Sequence, residues 1–255
     1  MQKTVVVVPC FNEAARLQDA PFLELAARHG VSLLFVDDGS TDRTAARLAQ
    51  LVASGNGTVK VLSLEGNEGK GEAVRRGMLD ALGCGAHVVG YVDADLSTPL
   101  SEVLHLLDEM ERRSAAVVMG ARVALLGTAI ERRVHRHYLG RVFATAASLV
   151  LRLRVYDTRC GAKFFRDTPA LRCALAVPFT SRWAFDVELI GRLLLGEKGV
   201  PALGAADFVE VPLRHWQDVS GSNVRPTQMI RAAFDLVAIA RELRERARRL
   251  REPRA

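Results

Sequence analysis

Residues 88–98 read VVGYVDADLST, an apolar run that ends in two carboxylates, Asp93 and Asp95, two positions apart. If the chain stays extended through them, side chains at i and i+2 face the same way, so two negative charges are held together at the edge of a core. Such a pair is costly unless a cation or a hydrogen-bond donor sits among the oxygens.

Similar runs precede and follow it: VVVV at 5–8, LLFV at 33–36, VKVLSL at 59–64 and AAVVMG at 115–120. Between them lie amphipathic helical patterns over roughly 12–29, 42–53, 69–82 and 100–113, bounded by turn residues. Strand then helix, repeated, predicts an α/β fold with a mostly parallel, Rossmann-like sheet covered on both faces. Ligands of such sheets bind beyond the carboxyl ends of the strands. Those ends read PCFNE, DDGSTD, EGNEGKG and DADLST, so polar chemistry from four strands converges on one crevice. Beyond residue 121 come Arg-rich helical text, a short element at TRCGAKFF, a helix at RWAFDVELIGRLLLG, and a last strand at DFVEVPLRHW. The segmentation is one α/β domain over 1–225 and a basic amphipathic helix over 226–255, packed on the domain or extending from it.

The chain has 255 residues, 49% hydrophobic and 25% charged, which suits one well-packed α/β domain and excludes disorder. Its net charge of +6 is Arg-rich and favours anionic partners: phosphate compounds or acidic lipid surfaces. Only 6% of residues are aromatic and no nucleic-acid reading module is present, which disfavours nucleic acid. Cys10, Cys84, Cys160 and Cys173 lack CxxC spacing, and the N-terminus lacks a signal pattern; a reducing, cytoplasmic setting is expected. The longest apolar stretch, 142–151, is too short for a bilayer.

GNEGKGEA at 66–73 is neither a P-loop, because Gly71 follows Lys70, nor a dinucleotide fingerprint, because Val74 replaces the third glycine. An ordinary tight turn and a phosphate or ribose contact by Lys70 both remain open. Asp37 and Asp38 alone read as a turn cluster, but beside Asp93 and Asp95 they point to a few-carboxylate, oxygen-only site of the kind that holds Mg²⁺ or Mn²⁺ through a substrate diphosphate.

PCFNE, VDDGSTD, GNEGKGEAVRRG, VDADLST, DTRCGAKFFR, RWAFDVEL and HWQDVSGS together resemble the inverting family 2 glycosyltransferases of GT-A fold, in particular those that load glucose or mannose onto dolichyl or polyprenyl phosphate. The resemblance spans about residues 4–240. It implies that Pro9, Asn12, Glu13 and Asp38 line the nucleotide pocket and that Lys70 approaches the nucleotide. Asp93 contacts ribose or metal, Asp95 is the main metal ligand, and Asp186 lies on the acceptor side of the anomeric carbon. Arg122 and Arg136 would grip a lipid phosphate. The implied partners are a nucleotide sugar, UDP-glucose, and a polyprenyl phosphate. The alternatives are a small-molecule hydroxyl acceptor, for which Asp186 would serve as general base, and a non-catalytic nucleotide-sugar-binding module. Ser97, Gly140 and Asn223 depart from family residues, and His215 is read as a partly buried imidazole rather than a ligand. The basic tail suits a peripheral contact with an anionic membrane, a solvated helix or a partner-binding helix.

Overall fold

The computed structural model describes residues 2–28, 30–124, 126–131, 134–217 and 226–252, with the backbone alone for 131–139 and 226–233. The strands are β1 (Thr4–Cys10), β2 (Val31–Asp37), β3 (Val59–Ser63), β4 (Val88–Val92), β5 (Val117–Ala121), β6 (Ala129–Glu131), β7 (Ala162–Arg166), β8 (Phe208–Pro212) and β9 (His215–Gln217). The helices are α1 (Asp19–Ala26), α2 (Thr44–Ser54), α3 (Lys70–Gly83), α4 (Leu100–Arg112), α5 (Val134–Leu151), α6 (Pro169–Leu175), α7 (Phe185–Leu195) and α8 (Pro226–Arg251).

Seven strands form one sheet in the order β3-β2-β1-β4-β7-β5-β8, and β6 pairs with β9 in a separate ribbon. β1 pairs in parallel with β2 on one side and β4 on the other, so the chain reverses its direction of travel across the sheet there. That switch point opens a crevice at the strand ends. β7 runs antiparallel between β4 and β5 and enters the sheet at that same edge, with Ala162 opposite Val92.

The VVVV run is a strand buried on both faces. Val5 and Val7 join a core with residues of α3, α5, α6, α7 and α8, whereas Val6 and Val8 join one with residues of α1, α2 and α4. Period-2 alternation therefore feeds two cores rather than one core and solvent.

Three expectations need correction. The helix anticipated over 12–29 begins only at Asp19. Asn12 takes a left-handed φ of 55°, and the amides of Asn12, Glu13 and Ala14 donate to Ser40, Thr44 and Asp42 instead of to a helix of their own. The strand through GYVDADLST also stops at Val92. Leu96 has a φ of 56° and Leu96 N–H donates to the Asp93 carbonyl at 3.3 Å, so Asp93 and Asp95 stand on a turn, not on an extended ribbon. The last predicted strand is likewise split into β8 and β9.

Candidate active site

Asp93 lies where β4 ends. Its Oδ1 accepts from Lys70 Nζ at 2.5 Å, and both side chains are about one-third exposed. The opposite flank of the Asp93 carboxylate rests on Gly161: a Cβ there would lie 2.0 Å from Oδ2 and 2.4 Å from Cγ. Glycine at 161 thus leaves the space that the carboxylate fills. Asp95 is oriented by its own turn, with Oδ1 accepting from Ser97 N–H at 3.0 Å and Ser97 Oγ–H at 2.6 Å. Ser97 therefore acts here by aiming Asp95.

Lys70 is the first residue of α3. The preceding Gly69 has a φ of 98°, a conformation that side chains other than glycine rarely adopt. The glycine-rich stretch is a turn that launches α3, and it also delivers the Lys70 ammonium to Asp93. Burial works against the Lys70 charge, but the carboxylates of Asp93 and Asp186 outweigh it and raise its pKa above the ordinary value.

Of the residues expected to line a nucleotide pocket, Asp38 and Asn12 have structural partners. Asp38 is buried, with its two oxygens accepting from the Glu68 and Gly69 amides at 2.8 and 2.9 Å, which fixes the approach to α3. Asn12 Oδ1 accepts from the amides of Thr41 and Asp42, stitching the loop after β1 to the loop after β2. Pro9 sits in β1 opposite Val36. Glu13 is paired with Arg16; burial first, and then the charges of Asp95 and Asp93, push its carboxyl above its ordinary pKa despite that partner. Glu13, Asp93 and Asp95 thus share one electrostatic neighbourhood. Among the described residues no three His, Cys, Asp or Glu side chains form a ready-made metal site. Two carboxylates of oxygen chemistry suit a hard divalent cation only when substrate and water supply further oxygens.

Asp186, in the first turn of α7, is nearly buried. Its Oδ1 accepts from the Tyr91 hydroxyl and lies 3.2 Å from Lys163 Nζ, and Lys163 is fully buried. Nothing in the sequence reading pointed to Tyr91 or Lys163, although Lys163 lies inside DTRCGAKFF.

Arg122 has a partner that the sequence reading did not anticipate. Its Nε and NH2 bind the two oxygens of Asp157 at 2.6 and 2.8 Å, and its guanidinium lies 5.2 Å from the Trp216 ring centroid. Burial opposes its charge, but Asp157 outweighs that effect and leaves the guanidinium more firmly protonated than usual. Expected to grip a lipid phosphate, Arg122 is already engaged in a bidentate pair. The backbone of Arg136 lies in α5 and its side chain is outside the described residues, as are Asn223 and Arg225. Arg159, two residues beyond Asp157, is exposed and has no carboxylate partner among the described residues; its guanidinium lies 5.2 Å from the Phe143 ring centroid and within electrostatic reach of Asp186.

Cys160 is buried, and burial pushes its thiol up to about 11. His215 differs from expectation: its side chain is 63% exposed and rests on the buried Glu102, Nδ1 to Oε1 3.3 Å.

Comparison with known proteins agrees with this geometry. The model of the family described as glycosyl transferase family 2 matches residues 5–175. Dolichyl-phosphate beta-glucosyltransferase of Drosophila melanogaster is 33% identical, over 87% of this chain and 69% of that protein. Its counterpart in Dictyostelium discoideum is 30% identical over 92% and 72%. Polyprenol monophosphomannose synthase of Mycolicibacterium smegmatis is 27% identical over 88% and 83%. Among solved structures, glucosyl-3-phosphoglycerate synthase from Mycobacterium tuberculosis in complex with Mn²⁺ and UDP-glucose shares the GT-A fold at a TM-score of 0.65 and 20% identity, covering 95% of this chain and 79% of that one. With the switch-point crevice, the carboxylates after β4 and a family match over most of its length, the chain belongs to glycosyl transferase family 2.

Proposed function

We propose that the protein transfers glucose from UDP-glucose to a polyprenyl phosphate with inversion at the anomeric carbon. The observation that carries this reading is the convergence of Asp93, Lys70 and Asp95 at the switch point, in a chain whose relatives bear the name dolichyl-phosphate beta-glucosyltransferase. UDP-glucose is an α-linked donor, so a β-product requires inversion.

Asp93 and Asp95 would hold a divalent cation, Mg²⁺ or Mn²⁺, which when bound neutralises charge on the departing diphosphate. The Mn²⁺ and UDP-glucose in the structurally similar synthase support this choice. The protein's own cation at the same place is Lys70, whose ammonium already rests on Asp93. The turn after β1 and the loop after β2, tied together by Asn12, form the floor for the nucleotide.

A phosphate monoester has a second pKa of about 6, so it arrives largely as a dianion and needs no base to make it nucleophilic. It needs a docking cation and alignment. We assign the docking to Arg159, whose guanidinium is exposed and free of carboxylates among the described residues, rather than to Arg122, which Asp157 occupies. Asp186, held by Tyr91 and Lys163, orients the acceptor side of the reaction.

A donor and acceptor matrix tests the reading: UDP-glucose, UDP-galactose, GDP-mannose and dTDP-glucose against a short polyprenyl phosphate and a panel of hydroxyl acceptors. Glucosylation of the lipid phosphate from UDP-glucose is expected. Transfer to hydroxyl acceptors with none to the lipid phosphate would refute it.

A further inference from the structure

α8 is bound to the domain along one side. Leu236, Ile239 and Leu243 are buried, and a Cβ on Gly191 of α7 would lie 2.4 Å from Leu243 Cδ1, so the two helices are in close contact. Polar contacts lie on this side too: Ser181 Oγ–H donates to Asp235 at 2.8 Å, and Arg246 NH2 donates to Glu197 at 2.6 Å. The helix therefore cannot turn its buried stripe outward without leaving the domain.

The opposite side carries a second stripe. Phe234, Val237, Arg241, Arg244, Arg248 and Arg251 follow one another at steps of three and four, which keeps them on one face of a helix, and all six are exposed. Phe234 is 71% exposed and Val237 51%. The four arginines make no ion pair or hydrogen bond among the described residues; the nearby carboxylate Glu242 is partly buried, and Glu245 is the one acidic residue exposed between Phe234 and Arg251. On α5, which packs against α8, Val142 and Leu149 are 70% and 76% exposed. An apolar end followed by unpaired cations is the pattern of a surface that inserts rings and aliphatic groups at the lipid boundary while guanidinium groups meet headgroup phosphates. A nucleic acid would use the arginines but leave Phe234 and Val237 in water.

We propose that the outward face of α8 docks the protein on an anionic lipid surface. Among the described residues no helix is long and apolar enough to cross a membrane. The proposal deepens the lipid-acceptor reading by naming how the protein meets the bilayer that carries its acceptor.

The test is co-sedimentation of the full chain with phosphatidylcholine vesicles, with and without an equal share of phosphatidylglycerol. Binding is expected only with phosphatidylglycerol and should weaken as salt rises. The triple variant Arg241→Gln, Arg244→Gln, Arg248→Gln should lose partitioning by roughly a hundredfold, about fivefold per arginine. Phe234→Ser should weaken binding without changing its salt dependence. Thermal melting of each variant separates loss of docking from loss of fold, and equal binding to both vesicle types, or full binding by a folded triple variant, overturns the proposal. An α8 face built for a protein or nucleic acid would bind neither vesicle type, and that result overturns the proposal as well. Transfer to a detergent-solubilised short polyprenyl phosphate, measured in parallel, should be unchanged in the variants. If it persists while vesicle binding is absent, docking fails and the proposed function stands; if vesicle binding holds while lipid-phosphate transfer is absent, the reverse follows.

Discussion

Replacing Gly161 by Ala should disable the enzyme while leaving it folded. The new Cβ would lie 2.0 Å from Asp93 Oδ2, where ordinary van der Waals contact begins at 3.4 Å, so the carboxylate must retreat by about 1.4 Å. It can, because the obstacle is the end of a rotatable side chain, and Gly161 is not among the residues with positive φ, so alanine suits the backbone. The cost to stability should be modest, about 1–2 kcal/mol for overpacking, including whatever the one-third-exposed Lys70 pair contributes. That corresponds to a fall in melting temperature of roughly 2–8 °C for a chain of this size. The cost to catalysis should be far larger, since misplacing a positioning group by about 1 Å removes on the order of 10²-fold in rate. Steady-state release of UDP and differential scanning fluorimetry measure the two effects. Gly83→Ala, where a Cβ meets nothing within 4 Å, is the control: turnover should be unchanged and the melting temperature should hold or rise slightly. A Gly161→Ala variant that melts a few degrees lower yet turns over normally would refute a role for Asp93 at the reacting diphosphate.

Asp95→Ala should reduce transfer by roughly 10³-fold or more while the protein stays folded, with about 1–2 kcal/mol lost from the two Ser97 hydrogen bonds; full activity in excess chelator would contradict the metal assignment. Arg159→Gln should raise the KM for the lipid phosphate about tenfold or more while leaving that for UDP-glucose alone, and Arg159→Lys should restore part of it. Arg122→Ala should instead act on stability, losing about 1–3 kcal/mol as the Asp157 carboxylate loses its bidentate guanidinium; a stable Arg122→Ala protein with selectively weakened acceptor binding would return the docking role to Arg122. Glu109, bound by Arg112 and Arg113, is held at a pKa of about 2 against an ordinary 4.5. Because its folded pKa is depressed, its stabilisation is fully present above pH 4.5 and is lost as pH falls through about 2. The melting difference between wild type and Glu109→Gln should therefore be present at neutral pH and vanish by the lower limit.

Local pattern carried much of this architecture. The apolar runs from Val5, Leu33, Val59, Val88 and Ala115 became β1 to β5, because each contains a short strand bounded by turn chemistry. Strand direction was less legible: nothing in AKFFR says that it enters antiparallel between β4 and β5, since its direction depends on how α5 returns the chain to the sheet. At the site, the DADLST carboxylates and Lys70 could be found from the strand-end rule, and the structure places them together. Arg122 looked free in sequence because its partner lies 35 residues away. Asp157, Gly161 and Lys163 all lie within the DTRCGAKFF stretch, so the motif was visible but the tasks of its members depended on contacts across the sheet.

That short stretch joins the two halves of the proposed reaction. Glu210 of β8 accepts from the Tyr156 and Asp157 amides at 2.7 and 2.5 Å, fixing the start of the loop against the sheet. Asp157 then holds Arg122 with its carboxylate and also accepts from the Arg159 amide at 3.1 Å, which sets the point from which the Arg159 side chain departs. Two residues later Gly161 abuts Asp93, and Lys163 reaches Asp186 from the first strand-turn beyond. A displacement anywhere in 157–161 therefore moves the acceptor cation and the donor-side carboxylate together. The engaged Arg122 fits this design: a bidentate, nearly buried guanidinium stiffens the loop in two directions, which a solvated lysine at the same position would not do. In the proposed reaction, Asp157 and Lys163 of this segment are committed to Arg122 and Asp186, whereas Arg159 has no carboxylate partner among the described residues and can meet an incoming phosphate without breaking a pair described there.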